Sequence, residues 1–288
     1  MTSSFSKRTI SRNLSHHPCP AGQPRFQLRT LALLLILSQL SVPAFSQMAS
    51  GTTNTVENGQ RDTKPRYVFR RNHDPNGIGK FYLGREIAQV MSFHGAPWLN
   101  RPEREQEEHL SKLISLLDLA PGDEVADIGA GSGVLTELLA KKVGPEGQVF
   151  AVDIQKEMLL LIQQRTNRAG LQNVTPVLGG ITDPKLAAES VDLMLLVDVY
   201  HEFSHPFEMC QAMAEALRPG GRIVLVEYRK EDPRIPIKEI HKMTEMQVKA
   251  ELGRPEFGLE WVETHDDLPR QHVIVFRKSE PTSAKPEP

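Results

Sequence analysis

Three glycines at two-residue steps, Gly129, Gly131 and Gly133, follow the acid Asp127 in the stretch VADIGAGSG at 125–133. Without Cβ atoms a backbone approaches a ligand closely, and the amides that open the next helix can face it. A dinucleotide loop needs a further glycine at the sixth position counted from Gly129; that position is Val134, so the pattern fails. An acid two residues ahead of the first glycine would also crowd a pyrophosphate, and it suits a cationic amino group instead. Asp153, about 20 residues past the loop at the end of a second apolar run, is placed to accept hydrogen bonds from ribose hydroxyls. The two acids together describe a nucleoside that bears an amino acid, and S-adenosylmethionine fits that description. A second group, DVYHEF at 198–203, sets Asp198, Tyr200, His201 and Glu202 behind another apolar run.

The elements that must position these residues read as an alternation. EVADIG (124–129), QVFAVDI (148–154), NVTPVLG, VDLMLLVDV (191–199) and RIVLVEYR are short apolar strands. VLTELLAKKV (134–143), KEMLLLIQQRTNRAG (156–170) and HPFEMCQAMAEALRPGG are the helices between them, the last ending at Pro219-Gly220-Gly221. Strands this uniformly apolar imply a parallel sheet covered on both faces, and right-handed crossovers make it doubly wound. Ligands then belong at the carboxyl ends of the strands, where Asp127, Asp153 and Asp198 fall. FGLEWVET and HVIVFRK suit a terminal hairpin. A helix over about 102–118 and a helical segment near 79–92 are expected to cap the open end of the cleft.

Residues 100–278 resemble a class I S-adenosylmethionine-dependent methyltransferase. The matching residues are VADIGAGSG (125–133), VDI (152–154), GGITD (179–183), DLMLLVDVYHEF (192–203) and LRPGGRIVLVEY (217–228). The resemblance implies a Rossmann-like α/β fold whose mostly parallel, seven-stranded sheet has an antiparallel last strand, with an N-terminal helical cap. It implies a cofactor, S-adenosyl-L-methionine, lying over Asp127, Gly129, Ala130, Gly131 and Gly133. Its ribose would rest on Asp153 and its adenine near Ile154, Gly180 and Ile181. Asp198 and Val199 would face its methionine part and the substrate. Methyl transfer is an in-line displacement, so the protein chiefly aligns the partners and excludes water. A hydroxyl or ammonium acceptor must also lose a proton. His201 is therefore the candidate proton acceptor or substrate ligand, with Glu202 orienting it or meeting a cationic substrate. The same two residues could instead cap the following helix or fix the loop. A small-molecule acceptor is the leading expectation; a protein methyltransferase and a non-catalytic binder of the cofactor are the alternatives.

Other residues carry less. His241 shares a helical face with Ile237, Val248 and Leu252 and reads as a core residue. Tyr82 could close over the cofactor, Trp98 reads as packing, EREQEEH (103–109) as a solvated helix face, and Cys210 as a core thiol. The formal charge of −2 argues against a nucleic-acid partner. Two widely spaced cysteines, with no histidine cluster at ligand spacing, predict neither a disulfide framework nor a metal. Residues 1–46 read as a signal peptide or N-terminal anchor: Lys7, Arg8, Arg12, Arg25 and Arg29 precede a short apolar core from Leu31 to Leu40 and a small-x-small triplet, Ala44-Phe45-Ser46. Membrane contact is expected only through that segment. Export follows if the leader is used, and a cytoplasmic enzyme if translation starts at Met48. Residues 47–76 read as a disordered linker, 77–278 as the methyltransferase domain with its cap, and 279–288 as a disordered tail.

Overall fold

Short N-terminal elements precede the alternating part of the chain in the computed structural model, which describes residues 65–280. Strands β1 (Tyr67–Phe69), β2 (Gly77–Tyr82) and β3 (Arg85–Ala88) form an antiparallel sheet of their own. Three short helices follow: α1 (Ala96–Leu99), α2 (Arg104–Glu108) and α3 (Leu110–Leu116). Then come β4 (Glu124–Ile128), α4 (Val134–Val143), β5 (Gln148–Asp153), α5 (Lys156–Ala169), β6 (Val174–Leu178) and β7 (Val191–Val197). The chain closes with α6 (Pro206–Ala216), β8 (Leu217–Arg229), β9 (Lys242–Met243), α7 (Glu245–Leu252), β10 (Leu259–His265) and β11 (Gln271–Lys278).

The main sheet runs β10–β11–β8–β7–β4–β5–β6, with β9 pairing on β8 off that path. Pairs from β8 to β6 are parallel, and β11 is antiparallel to both of its neighbours, as expected for the last strand. Alternate residues feed two cores. On β7 and β8, Met194, Leu196, Ile223 and Leu225 join the side built with α6 and α7, and Leu193, Leu195, Val224 and Val226 the side built with α3 and α4. Burial of both faces explains why these strands read as unbroken apolar runs. The strand order reverses between β4 and β7, and the crevice beyond their carboxyl ends is where such a sheet takes a ligand.

The N-terminal cap differs from expectation. Residues 77–88 form a hairpin, not a helix; three glycines there are poor helix formers. Leu83 and Gly84, at φ 46 and 89, make the two-residue turn favoured between antiparallel strands. The expected helix over 102–118 is two helices, broken at His109 (φ 52). The break lets Glu108 and Leu110, which would face opposite ways on a straight helix, both point inward. β1 lies within the expected linker. Helix α6 stops at Ala216, and the following LRPGG joins β8. The expected leader over 1–46 and residues 47–64 and 281–288 lie outside the described residues. Among those described, no helix is long and apolar enough to cross a membrane.

Candidate active site

The crevice opens into a cavity of about 600 Å³, within the range of small-ligand sites. Its floor is the turn after β4. Gly129, Gly131 and Gly133 all adopt left-handed conformations, at φ 72, 55 and 79. Each also meets a close neighbour: a Cβ on Gly129 would overlap a Val199 methyl, one on Gly131 would lie 2.7 Å from Leu99 Cδ1, and one on Gly133 would lie 3.0 Å from Ile162 Cγ1. Gly129 and Gly131 line the cavity, whereas Gly133 seats α4 against α5 and Ala130 is also off the lining.

The acids divide in an unexpected way. Asp153 lines the cavity, and its carboxylate accepts the Gly131 N–H at 2.9 Å and the Gln155 N–H at 2.8 Å; burial raises its pKa. Asp127 does not line it. Its carboxylate turns to α4 and accepts the Thr136 hydroxyl at 2.6 Å, and burial pushes its pKa up to about 6. Asp198 does line it, in a left-handed conformation (φ 51). Its Oδ2 accepts from Gln271 Nε2 at 2.8 Å, and its buried Oδ1 has no partner. Burial, then the nearby Glu108 and Glu227 carboxylates, hold its pKa well above the ordinary range. Ile154 and Ile181 stand at the cavity wall with 41% and 53% of their surfaces exposed, beside Gly180.

The cavity lining also carries a titratable cluster. Glu227, fully buried on β8, accepts the Tyr200 N–H at 3.0 Å and the His201 Nδ1–H at 2.6 Å. The latter bond leaves His201 Nε2 facing His241 Nδ1, 3.1 Å away. Glu202 Oε1 lies 4.0 Å from the first nitrogen and 3.9 Å from the second. Burial alone would lower the His201 pKa; Glu227 beside it more than reverses this and holds the imidazolium form above its ordinary range. Burial pushes Glu202 up to about 7, and burial together with His201 pushes His241 down to about 4. Arg85, paired through two nitrogens with the buried Glu251, donates to the His201 carbonyl at 3.1 Å and fixes the turn that carries the cluster.

A strap over residues 89–101 covers the cavity. Both Glu202 oxygens accept the Met91 N–H at 3.2 Å, and Gln155 takes the Phe93 N–H at 2.8 Å while donating to the Met91 carbonyl at 3.0 Å. Trp98 lines the cavity, half-exposed, with the Arg101 guanidinium 3.6 Å above its ring.

His201, Glu202, Asp153, Asp198, Val199, Ile154, Gly180 and Ile181 thus meet around one cavity. His241 proves to be a wall residue on a short turn before β9, not a core residue of a long helix. EREQEEH is a solvated face only in part: Glu103, Glu105, Gln106 and His109 are exposed, but Glu108 is buried and accepts from Arg104 Nε at 2.6 Å and the Tyr228 hydroxyl at 2.9 Å, at the cavity wall. Tyr82 packs in the core against Tyr67 and does not reach the cavity. Cys210 is a buried free thiol, its pKa pushed up to about 12 by burial.

Comparison with known proteins agrees with this geometry. The family described as "Methyltransferase domain" matches residues 119–267, and the chain belongs to the class I S-adenosylmethionine-dependent methyltransferases. It is 30% identical over 150 residues to the ubiquinone/menaquinone biosynthesis C-methyltransferase UbiE of Legionella pneumophila (strain Lens), covering 51% of this chain and 59% of that one. It is 33% identical over 107 residues to an arsenite methyltransferase of Halobacterium salinarum, covering 37% of this chain and 27% of that one. The chain therefore spans less than two thirds of either relative. A crystal structure of a SAM-dependent methyltransferase from Aquifex aeolicus shares the fold, with a TM-score of 0.62 and 22% identity over 66% of this chain and 100% of that one.

The residues present fit the family's cofactor. The glycine turn leaves a bare backbone, Asp153 presents a carboxylate into the cavity, Ile154 and Ile181 offer apolar surface to a planar base, and Asp198 holds an unpaired oxygen.

Proposed function

We propose that this chain methylates a small-molecule acceptor held inside the cavity. The observation that carries the reading is one cavity lined both by the glycine turn and Asp153 and by the His201–Glu202–His241 cluster, with the 89–101 strap bonded to Glu202 and Gln155 beside it. When bound, S-adenosylmethionine supplies an electrophilic methyl group. Asp153 accepts from the ribose hydroxyls, and Ile154, Gly180 and Ile181 flank the adenine. Gly129 and Gly131 admit the cofactor's close approach, while Ala130, Gly133 and the Asp127–Thr136 pair hold the turn in shape from behind. Asp198, not Asp127, meets the cofactor's ammonium, because Asp198 lines the cavity and keeps an unpartnered oxygen. His201, fixed by Glu227, together with Glu202, accepts the proton that the acceptor loses, and the strap excludes water.

Two relatives support a small acceptor, being named for ubiquinone/menaquinone biosynthesis and for arsenite. The test incubates the full chain with isotopically labelled S-adenosylmethionine and fractionated metabolite extract, and reads labelled products by mass spectrometry. A labelled small molecule that disappears with Asp153→Ala, alongside at least a tenfold loss of cofactor affinity, supports the reading; hydrogen bonds to a charged group are worth about 1.5–3 kcal/mol each. Label only on protein favours the protein-methylating alternative, and tight binding without any product a cofactor-binding protein. Unchanged turnover of His201→Ala at every pH removes the catalytic role of His201. Export through the 1–46 leader is a proposal of the same kind. A mature terminus at Gln47 supports it, and one at Met48 or Ala49 supports an internal start.

A further inference from the structure

We propose that His201 Nε2, His241 Nδ1 and Glu202 Oε1 form a site for a divalent transition-metal cation of the zinc type. The three atoms come from two segments 40 residues apart in sequence and meet in a triangle with sides of 3.1, 4.0 and 3.9 Å. The point equidistant from them lies about 2.1 Å from each, matching zinc bond lengths to imidazole and carboxylate of about 2.0–2.2 Å. The pattern of two imidazoles and one carboxylate is a recurrent donor set for a catalytic zinc, and it leaves the remaining coordination position open.

The surroundings agree with that use. Glu227 accepts the His201 Nδ1–H at 2.6 Å, fixing the tautomer so that Nε2 carries its lone pair toward the cluster. A carboxylate behind a histidine is the usual support of a metal-bound imidazole. Glu227 is itself anchored by the Tyr200 N–H, and Arg85 holds the His201 carbonyl, so the donor is rigid before any cation arrives. Electrostatics favour a cation as well. Glu202 and Glu227 both bear on this point, whereas the neighbouring Arg85 is already paired with Glu251. All three ligand residues line the cavity, so the open position faces the space assigned to the acceptor.

Binding of the cation stands on this geometry alone, while its role in the reaction rests on the methyl-transfer reading. With the cation bound, His201 and Glu202 serve as its ligands instead of as proton acceptors, and an acceptor hydroxyl or thiol on the open position would lose its proton to solvent more readily and present its anion. An acceptor of that kind fits the site better than an amine, whose single lone pair would be occupied by the metal.

The full chain, stripped with chelator, is titrated with zinc by calorimetry and with cobalt by visible absorption. One equivalent of each is expected, with the intense bands of low-coordinate cobalt. His241→Ala and Glu202→Ala should each weaken zinc binding at least about tenfold, and Glu227→Gln by about 10–100-fold. Part-exposed His241 makes His241→Ala the variant least exposed to misfolding, and a thermal melt checks each one. Absence of stoichiometric binding in the wild type, or undiminished binding in His241→Ala, overturns the proposal. Cofactor affinity measured on the same stripped samples separates the two readings: if it is intact while zinc fails to bind, only the metal site falls.

Discussion

Substituting Gly129 by alanine tests the idea that the turn is bare because the chain behind it demands it. Gly129 lies at φ 72, and the left-handed well costs an alanine about 1–2 kcal/mol. A Cβ there would also overlap a Val199 methyl and sit 3.0 Å from Val199 Cβ, and forced overpacking of this kind costs about 1–3 kcal/mol. The single variant should therefore lose about 2–5 kcal/mol, or roughly 4–20 °C in melting temperature for a domain of this size. The two contributions separate in a cycle of Gly129→Ala, Val199→Ala and the double variant, followed by urea unfolding. Shortening Val199 relieves the overlap and leaves the backbone strain, so the cycle should close with about 1–3 kcal/mol of coupling. Additivity within about 0.5 kcal/mol would refute the reasoning, since it would mean that Val199 does not close on the turn.

Arg85→Met leaves the buried Glu251 without its partner and should cost about 3–5 kcal/mol in urea unfolding; a loss below about 1 kcal/mol would show the pair to be dispensable. Asp127 has its folded pKa raised from an ordinary 3.8 to about 6, so its stabilising contribution is complete at low pH and is lost as pH rises through about 6. Relative to Asp127→Asn, the wild type should therefore weaken by about 2–3 kcal/mol between pH 4 and pH 7, and parallel pH profiles would contradict the shift. Asp198 has its pKa raised by burial and by Glu108 and Glu227 against the opposing Arg104, which disfavours its charged form in the free protein. A cationic cofactor favours the carboxylate form, so affinity should fall as pH falls. Calorimetry in two buffers of different ionisation enthalpy should show net proton release on binding, and identical heats would exclude Asp198 as the ammonium's partner.

The sheet was legible because the central strands β5 and β7 and the middle of β8 are largely apolar runs, and the acids at the run ends marked where the cleft would open. Placement within the cleft was less so. Asp127 and Asp198 both stand at the carboxyl ends of strands, and only the structure separates them: Asp127 turns to the Thr136 hydroxyl, whereas Asp198 lines the cavity. Glu227 left a signal that could have been used: a carboxylate inside VLVEY must have a buried partner. Glu108 left none, since a charged residue in EREQEEH looks like any solvated one, and its burial follows from the left-handed break at His109. His241 was hidden by long-range geometry, its face decided by a turn and a two-residue strand with no periodicity to read.

Glu202 holds the Met91 amide with both oxygens, while the strap from which Met91 comes lies wholly before residue 119, where the matched family begins. Much of the cavity wall, from Asn76 to Glu108, is therefore supplied by chain that the common domain does not contain. On the proposed function, exchanging that segment alone would change the space offered to the acceptor, while the sheet and the glycine turn stay the same. The exchange is not free, however: a foreign strap lacking an amide at the Met91 position would strand a buried carboxylate beside the two histidines. Recombination at this boundary should succeed only when the incoming segment and residue 202 are inherited together.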